Sequence, residues 1–141
     1  FYGCGDGESL FEEGGVIDLI EEMKPFFKQI GFVINYTDDK YDENRHTLKF
    51  NGRDYVLAEG SILMWGETVA KFASMINHEL ELQKLDERIY IINNENHYFV
   101  FLTNEQYEFL SSCIDINLKP LTEEDWTNRT TEEIYRLLSN K

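Results

Sequence analysis

Three histidines, His46, His78 and His97, are the side chains best suited to proton transfer or metal ligation near neutral pH. His78-Glu79 has the most suggestive spacing. A zinc-protease helix needs a second histidine four residues on, but that position is Leu82, so the two-ligand face is missing. His78 and Glu81 stand three residues apart on one helix side and have the types needed for general acid–base work. A solvated helix face is the competing explanation. His46 and His97 each open a predicted strand, and with His78 and Glu81 they define one functional alternative, a small-ligand or enzymatic domain.

Other catalytic signatures fail on inspection. Gly3-x-Gly5-x-Gly7 follows no strand, leads to no Lys-Ser or Lys-Thr, and carries Asp6 and Glu8, which would repel a phosphate. The chain has no Gly-x-Ser-x-Gly elbow and no Cys-x-x-Cys pair. Asp38, Asp39, Asp42 and Glu43 offer oxygens to calcium, but without the mid-loop glycine and terminal bidentate glutamate of a calcium loop. The expectation is therefore no catalytic residue, no metal and no cofactor, and a binding protein in preference to an enzyme.

Charge is the strongest remaining signal. Thirteen Lys and Arg face 27 Asp and Glu, for a net charge of −14. That balance argues against nucleic acid and anionic membrane as partners, since both would be repelled. The acids are clustered. Residues 1–23 hold seven (Asp6, Glu8, Glu12, Glu13, Asp18, Glu21, Glu22) and no Lys or Arg, and residues 123–133 hold five against Arg129 alone. Such a face would steer a basic protein toward itself and pair with its cations. Tyr41 in the acidic stretch and Trp126 beside Glu123-Glu124-Asp125 are the residue types that anchor interfaces. The predicted contact set is Glu12, Glu13, Glu21, Glu22, Tyr41, Glu123, Glu124, Asp125 and Trp126. The function expected from it is inhibition or sequestration of a basic, toxin-like protein, as a bacterial immunity protein would do. The bland alternative is a domain whose acidity serves only solubility.

These residues need elements to position them. Val16, Leu19, Ile20, Met23, Phe27 and Ile30 recur at helical spacing up to Gly31, with a kink or split predicted at Pro25. Phe32, Ile34 and Tyr36 read as a strand, and residues 37–45 as a polar loop. Asn51-Gly52 between two alternating runs predicts a tight hairpin, because both turn residues need positive φ. The longest helix runs over residues 63–85, its stripe made by Trp65, Val69, Phe72, Ala73, Ile76 and Leu80, with Glu67 and Lys71 paired on the wet side. Residues 88–92 and 97–102 are apolar on both faces and read as a second, central hairpin with Ile89, Ile91, Phe99 and Phe101 in the core. Capping boxes are predicted at Ser9-x-x-Glu12, Thr103-x-x-Gln106 and Thr130-x-x-Glu133, the last opening a terminal helix packed down by Ile134, Leu137 and Leu138.

The expected fold is α+β: a mainly antiparallel sheet of about five strands in two hairpins, a long helix across one face, and helices at both termini. A chain of 141 residues, 42% hydrophobic, suits one domain over 1–141 with a Gly-rich flexible lead at 1–8. Two cysteines make no disulfide scaffold, and Cys113 reads as a small buried hydrophobe. The default compartment is the cytoplasm. The alternative is a lipid anchor through Cys4, since Gly3-Cys4 has the small-residue-then-cysteine end of a lipoprotein signal without the regions that precede it.

Overall fold

The computed structural model describes residues 2–5, 14–42, 45–59, 64–93, 97–113 and 120–139. In chain order these form β1 (Tyr2–Gly5), α1 (Gly15–Ile30), β2 (Tyr36–Asp42), β3 (Arg45–Phe50), β4 (Arg53–Glu59), α2 (Met64–Leu82), β5 (Arg88–Asn93), β6 (His97–Leu102), α3 (Asn104–Cys113) and α4 (Glu123–Ser139). The α+β class and the antiparallel pairing are as the sequence predicts.

The sheet arrangement is a correction. Six described strands form two three-stranded sheets, ordered β2-β3-β4 and β1-β6-β5. Two segments account for the extra strand and the division. Tyr2–Gly5, assigned by sequence to a lead, pairs along β6 from Tyr2 opposite Val100 to Gly5 opposite His97. The acidic segment assigned to a loop is β2, paired with β3 through a register break between Thr37 and Lys40. The strand predicted at 32–36 forms only from Tyr36 onward, because side chains take the backbone groups before it. Gln83 accepts from the Val33 N–H and donates to its carbonyl, at 2.9 and 2.7 Å. Asn51 does the same work for the Asn35 N–H and the Val33 carbonyl, at 2.7 and 3.1 Å. No ladder partner is needed there.

The Asn51-Gly52 turn joins β3 to β4 with φ of 51° and 79°, the two positive values a two-residue hairpin demands. α1 buries Val16, Leu19, Ile20, Met23 and Phe27 and is not split at Pro25. Pro25 lies on the exposed face, where water can serve the carbonyl left without a donor. Gly31 closes the helix at φ 78°. Phe32 N–H donates to the Phe27 carbonyl at 2.8 Å and Gly31 N–H to Lys28 at 3.3 Å, the two reversed bonds of a Schellman end. The Phe27 and Phe32 rings meet edge-on at 4.9 Å across that turn.

α2 lies against β4 of one sheet and β5 of the other. Its stripe, Val69, Phe72, Ala73, Ile76 and Leu80, is buried as predicted, and Ile89, Ile91, Phe99 and Phe101 are buried with it in one core. Phe72 meets Phe99 edge-on at 5.3 Å. The expected Glu67–Lys71 pair is absent among the described ion pairs; Glu67 accepts from the Glu59 N–H at 3.1 Å instead. The Thr103 capping box forms reciprocally with Gln106, at 2.9 and 3.3 Å. Ser9-x-x-Glu12, the side chains of Trp65, Cys4, Cys113 and Ile134, and the turn at 94–96 lie outside the described residues.

The last helix is a second correction. It opens at Glu123, seven residues before the predicted Thr130 cap. Thr122 Oγ1 accepts from the Asp125 N–H at 3.1 Å, and Glu123, Glu124 and Asp125 fill the first turn, where the helix dipole favours negative charge. Leu137 and Leu138, expected to pack inward, are 68% and 60% exposed, and Tyr135 is 69% exposed. Trp126 holds α4 down in their place, one helical turn from its start.

Candidate functional site

Among the described residues, three constellations of polar side chains stand out, and they differ in what they leave open. The first ties α2 to the β3–β4 hairpin. Glu79 follows Ile76 by three residues on the apolar stripe, so its side chain is fully buried. Arg53, just past the Asn51-Gly52 turn, grips it with two bonds, Nε to Oε1 at 2.7 Å and Nη2 to Oε2 at 2.5 Å. The Tyr55 hydroxyl donates to Oε1 at 2.6 Å, and Asn51 Nδ2 donates to Oε2 at 3.3 Å. Burial alone would raise the Glu79 pKa; the hydrogen bonds from Arg53, Tyr55 and Asn51 outweigh it and hold the carboxyl below its ordinary value. Burial, then the bond to Glu79, pushes the Tyr55 phenol up to about 12. The same partner raises Arg53 above its ordinary value. Tyr55 has one hydroxyl proton and gives it to Glu79, so at 2.9 Å it accepts from His78 Nδ1–H. His78 is thus the exposed end of a chain that terminates on a buried, fully partnered carboxylate. It is engaged with Tyr55 and not with Glu81, which is exposed on α2.

The second constellation sits on β2 and β3. His46 is 1% exposed, its Nε2 lies 2.5 Å from Asp39 Oδ1, and its ring stacks on Tyr41 at 3.9 Å. The break in register between Thr37 and Lys40, with Asp38 at φ 54°, turns the Asp39 side chain toward β3. Nδ1 of His46 is buried with no hydrogen-bond partner among the described residues. The pair ties β2 to β3 and acts as a clamp on the two strands. The His97 side chain lies outside the described residues, and His46 and His78 belong to separate networks. Among the described residues, no group of His, Cys, Asp and Glu has the arrangement of a metal site.

The third is a cleft of about 440 Å³ between α2 and α4. Gly66, Ala70 and Trp126 give it an apolar wall; Glu67, Glu123, Glu124 and Lys71 give it charge. The Trp126 ring lies close against α2, within ordinary contact distance (3.4 Å) of where a Cβ at Gly66 would stand. Trp126 is 2% exposed and belongs to the core, which corrects its assignment as an exposed anchor. Two carboxylate oxygens, Glu67 Oε2 and Glu123 Oε2, are buried with no hydrogen-bond partner among the described residues.

The predicted contact residues therefore separate. Glu123, Glu124 and Trp126 come together at the cleft, with Asp125 exposed beside them. Glu21 and Glu22 lie on the exposed side of α1, where Glu21 bridges Lys24 at 2.6 Å and accepts from the Tyr36 hydroxyl. Tyr41 is committed to His46, and Glu12 and Glu13 lie outside the described residues. Sequence reasoning missed Glu79. Its signal was a carboxylate on a buried stripe, which requires a cation nearby, with Arg53 and Tyr55 on one face of the strand after the turn. No helix among the described residues is long and apolar enough to cross a membrane. No protein-family model matches the chain, and no curated protein or solved structure is significantly similar to it.

Proposed function

We propose that this chain is a small acidic binding protein that inhibits or sequesters a basic protein, in the manner of an immunity protein that neutralises a toxin in a bacterium. The observation that carries this is the outer end of α4. Tyr135, Leu137 and Leu138 are 60–69% exposed within about one turn of one another; Glu132 and Glu133 precede them and Arg136 lies among them. Large apolar side chains held in solvent among charged ones have the composition of an interface: an apolar centre that excludes water and a charged rim that selects the partner. With a net charge of −14, the partner whose approach is accelerated is a basic one. Glu123, Glu124 and Asp125 extend the acidic rim along the same helix, and Glu21 and Glu22 carry a second acidic strip on α1.

The test is capture from the native host at low and at physiological salt, with the captured protein identified and rebound in pure form. A basic partner whose association rate falls with salt supports the proposal. A double substitution Leu137→Asp, Leu138→Asp that folds normally should release it. Capture of nothing basic, or binding indifferent to that substitution, refutes the proposal and leaves the acidity as a solubility device.

A further inference from the structure

We propose that Asn51-Gly52 is a modification site that the fold keeps shut. While the chain is folded the Asn51 amide is held out of reaction. When the chain unfolds it deamidates to aspartate or isoaspartate, and the native structure is then strongly disfavoured, so unfolding becomes one-way. The inference does not depend on the function proposed above.

The dipeptide sets the chemistry. The Gly52 backbone nitrogen gives its proton to water and attacks Cγ of Asn51. A C–N bond forms, the Cγ–Nδ2 bond breaks, and ammonia leaves. Water then opens the cyclic imide at either of its carbonyls, giving aspartate or isoaspartate. The sequence consumes only water and involves no redox change. Glycine obstructs the attack least, having no Cβ. Asn51 alone among the asparagines of the chain is followed by glycine.

In the folded chain the Asn51 amide is occupied at both ends. Oδ1 accepts from the Asn35 N–H at 2.7 Å, and Nδ2 donates to the Val33 carbonyl at 3.1 Å and to Glu79 Oε2 at 3.3 Å. The Asn51 backbone N–H is itself on the Asn35 carbonyl, at 2.7 Å. Asn51 and Gly52 are held at φ 51° and 79° between the paired residues Phe50 and Arg53. Imide closure must draw Cγ onto the Gly52 nitrogen, which pulls the amide off those three partners. Gly52 is exposed, so water is at hand and the freedom of the amide is what is withheld. The rate is then set by how often this corner opens.

The product does not suit the site that the amide leaves. Aspartate at position 51 would set a carboxylate oxygen where Nδ2 now donates, against the Val33 carbonyl and against Glu79, whose side chain is fully buried. Acceptor would face acceptor, and a second negative charge would enter a site whose cation, Arg53, is already bound twice to Glu79. Isoaspartate adds a methylene to the backbone of a two-residue turn and disturbs the register of Phe50 on Arg53. Either product opposes refolding. A chain that stays unfolded is thereby withdrawn, while folded copies keep their amide.

The experiment incubates the full chain in parallel in neutral buffer and in guanidinium chloride above its unfolding transition. The tryptic peptide Phe50–Arg53 is followed by mass spectrometry for the gain in mass from amide to acid. Deamidation should proceed in denaturant and be about a hundredfold or more slower in buffer, where the open state is rare. Tyr55→Phe removes a bond to Glu79 and leaves the reacting atoms alone. It should raise the rate in buffer about 5–30-fold and leave the rate in guanidinium unchanged. When the aged sample is diluted out of denaturant, modified peptide should concentrate in the fraction that stays unfolded. Asn51→Asp, made directly, should lower the ratio of folded to unfolded chain about tenfold or more, and failure of that variant to fold agrees with this. Equal rates in buffer and denaturant, an intact peptide in denaturant, or no acceleration by Tyr55→Phe overturns the proposal. So does an equal share of modified peptide in the refolded and unfolded fractions, or an Asn51→Asp chain that unfolds at the wild-type midpoint.

Discussion

Replacing Tyr55 by phenylalanine removes one oxygen and isolates what holds Glu79 in its buried place. That hydroxyl donates to Glu79 Oε1 at 2.6 Å. A hydrogen bond to a charged group contributes about 1.5–3 kcal/mol. The lower part of that range applies, because Oε1 keeps Arg53 Nε at 2.7 Å. His78 is exposed and finds water in place of the phenol, so it adds little. The expected loss is about 1–2 kcal/mol, or about 3–7 °C in Tm for a chain of this size. The pH dependence identifies the source. Glu79 has its folded pKa held low, so its contribution is present above the ordinary carboxyl range and is lost as pH falls through the folded value. Tyr55 has its folded pKa raised to about 12, so its contribution is complete below the ordinary phenol value and is lost as pH climbs from there through the folded one. The gap between wild type and Tyr55→Phe, measured by urea unfolding across pH, should therefore be flat near neutrality and shrink at both ends. The other seven tyrosines titrate in both proteins and cancel. A neutral-pH gap below about 0.5 kcal/mol, inside the range of ordinary surface changes, would refute the buried-carboxylate account. So would a gap that stays constant through the alkaline arm.

Three further substitutions probe other parts. Trp126→Ala should cost about 3–5 kcal/mol in denaturant unfolding of the isolated chain, as for a buried aromatic; a change near zero would return Trp126 to the surface. Lys84 sits at φ 58° where α2 ends, with its N–H on the Glu81 carbonyl and that of Leu85 on Leu80, so Lys84→Gly should stabilise by about 0.5–1 kcal/mol in the same assay. Leu137→Asp with Leu138→Asp should leave the unfolding midpoint within about 0.5 kcal/mol of wild type while abolishing partner capture.

The local rules were legible where one residue type has a single physical use. Asn51-Gly52 needs positive φ at both positions, Gly31 ends a helix, and the stripes Val69–Phe72–Ile76–Leu80 and Ile89–Ile91–Phe99–Phe101 have nowhere to go but inward. What failed depended on side chains acting at a distance. Residues 32–35 alternate like a strand, yet Asn51 and Gln83 occupy their backbone groups. Asp38, Asp39 and Asp42 look like loop residues, and become a strand because β3 supplies the ladder and the Asp39 carboxylate pairs with His46 Nε2. The terminal helix opens against the local signal: Thr130-x-x-Glu133 is the fuller capping box, whereas Thr122 supplies a simple N-cap to the Asp125 N–H. Only the burial of Trp126 against Gly66 selects the earlier one, and it sends Leu137 and Leu138 out to solvent.

The division of labour between α2 and α4 narrows where function can lie. α2 spends its polar residues on the fold. Asn77 bonds both backbone groups of Ile89, at 2.7 and 3.1 Å, Glu79 holds the hairpin turn, and Gln83 holds Val33. Substituting any of them would loosen a strand or a turn, so activity lost in such a variant would not be evidence of a site. α4 is the opposite case. Among the described residues of α4, Trp126 is the buried side chain and fastens the first turn, while Tyr135, Leu137 and Leu138 stay exposed. A helix of 17 residues with a strongly charged start and an unburied apolar end carries little of the core. Exposed leucines add nothing to stability and invite aggregation. A partner that covers them, as proposed, meets Glu132 and Glu133 beside them and pairs best with them through basic groups.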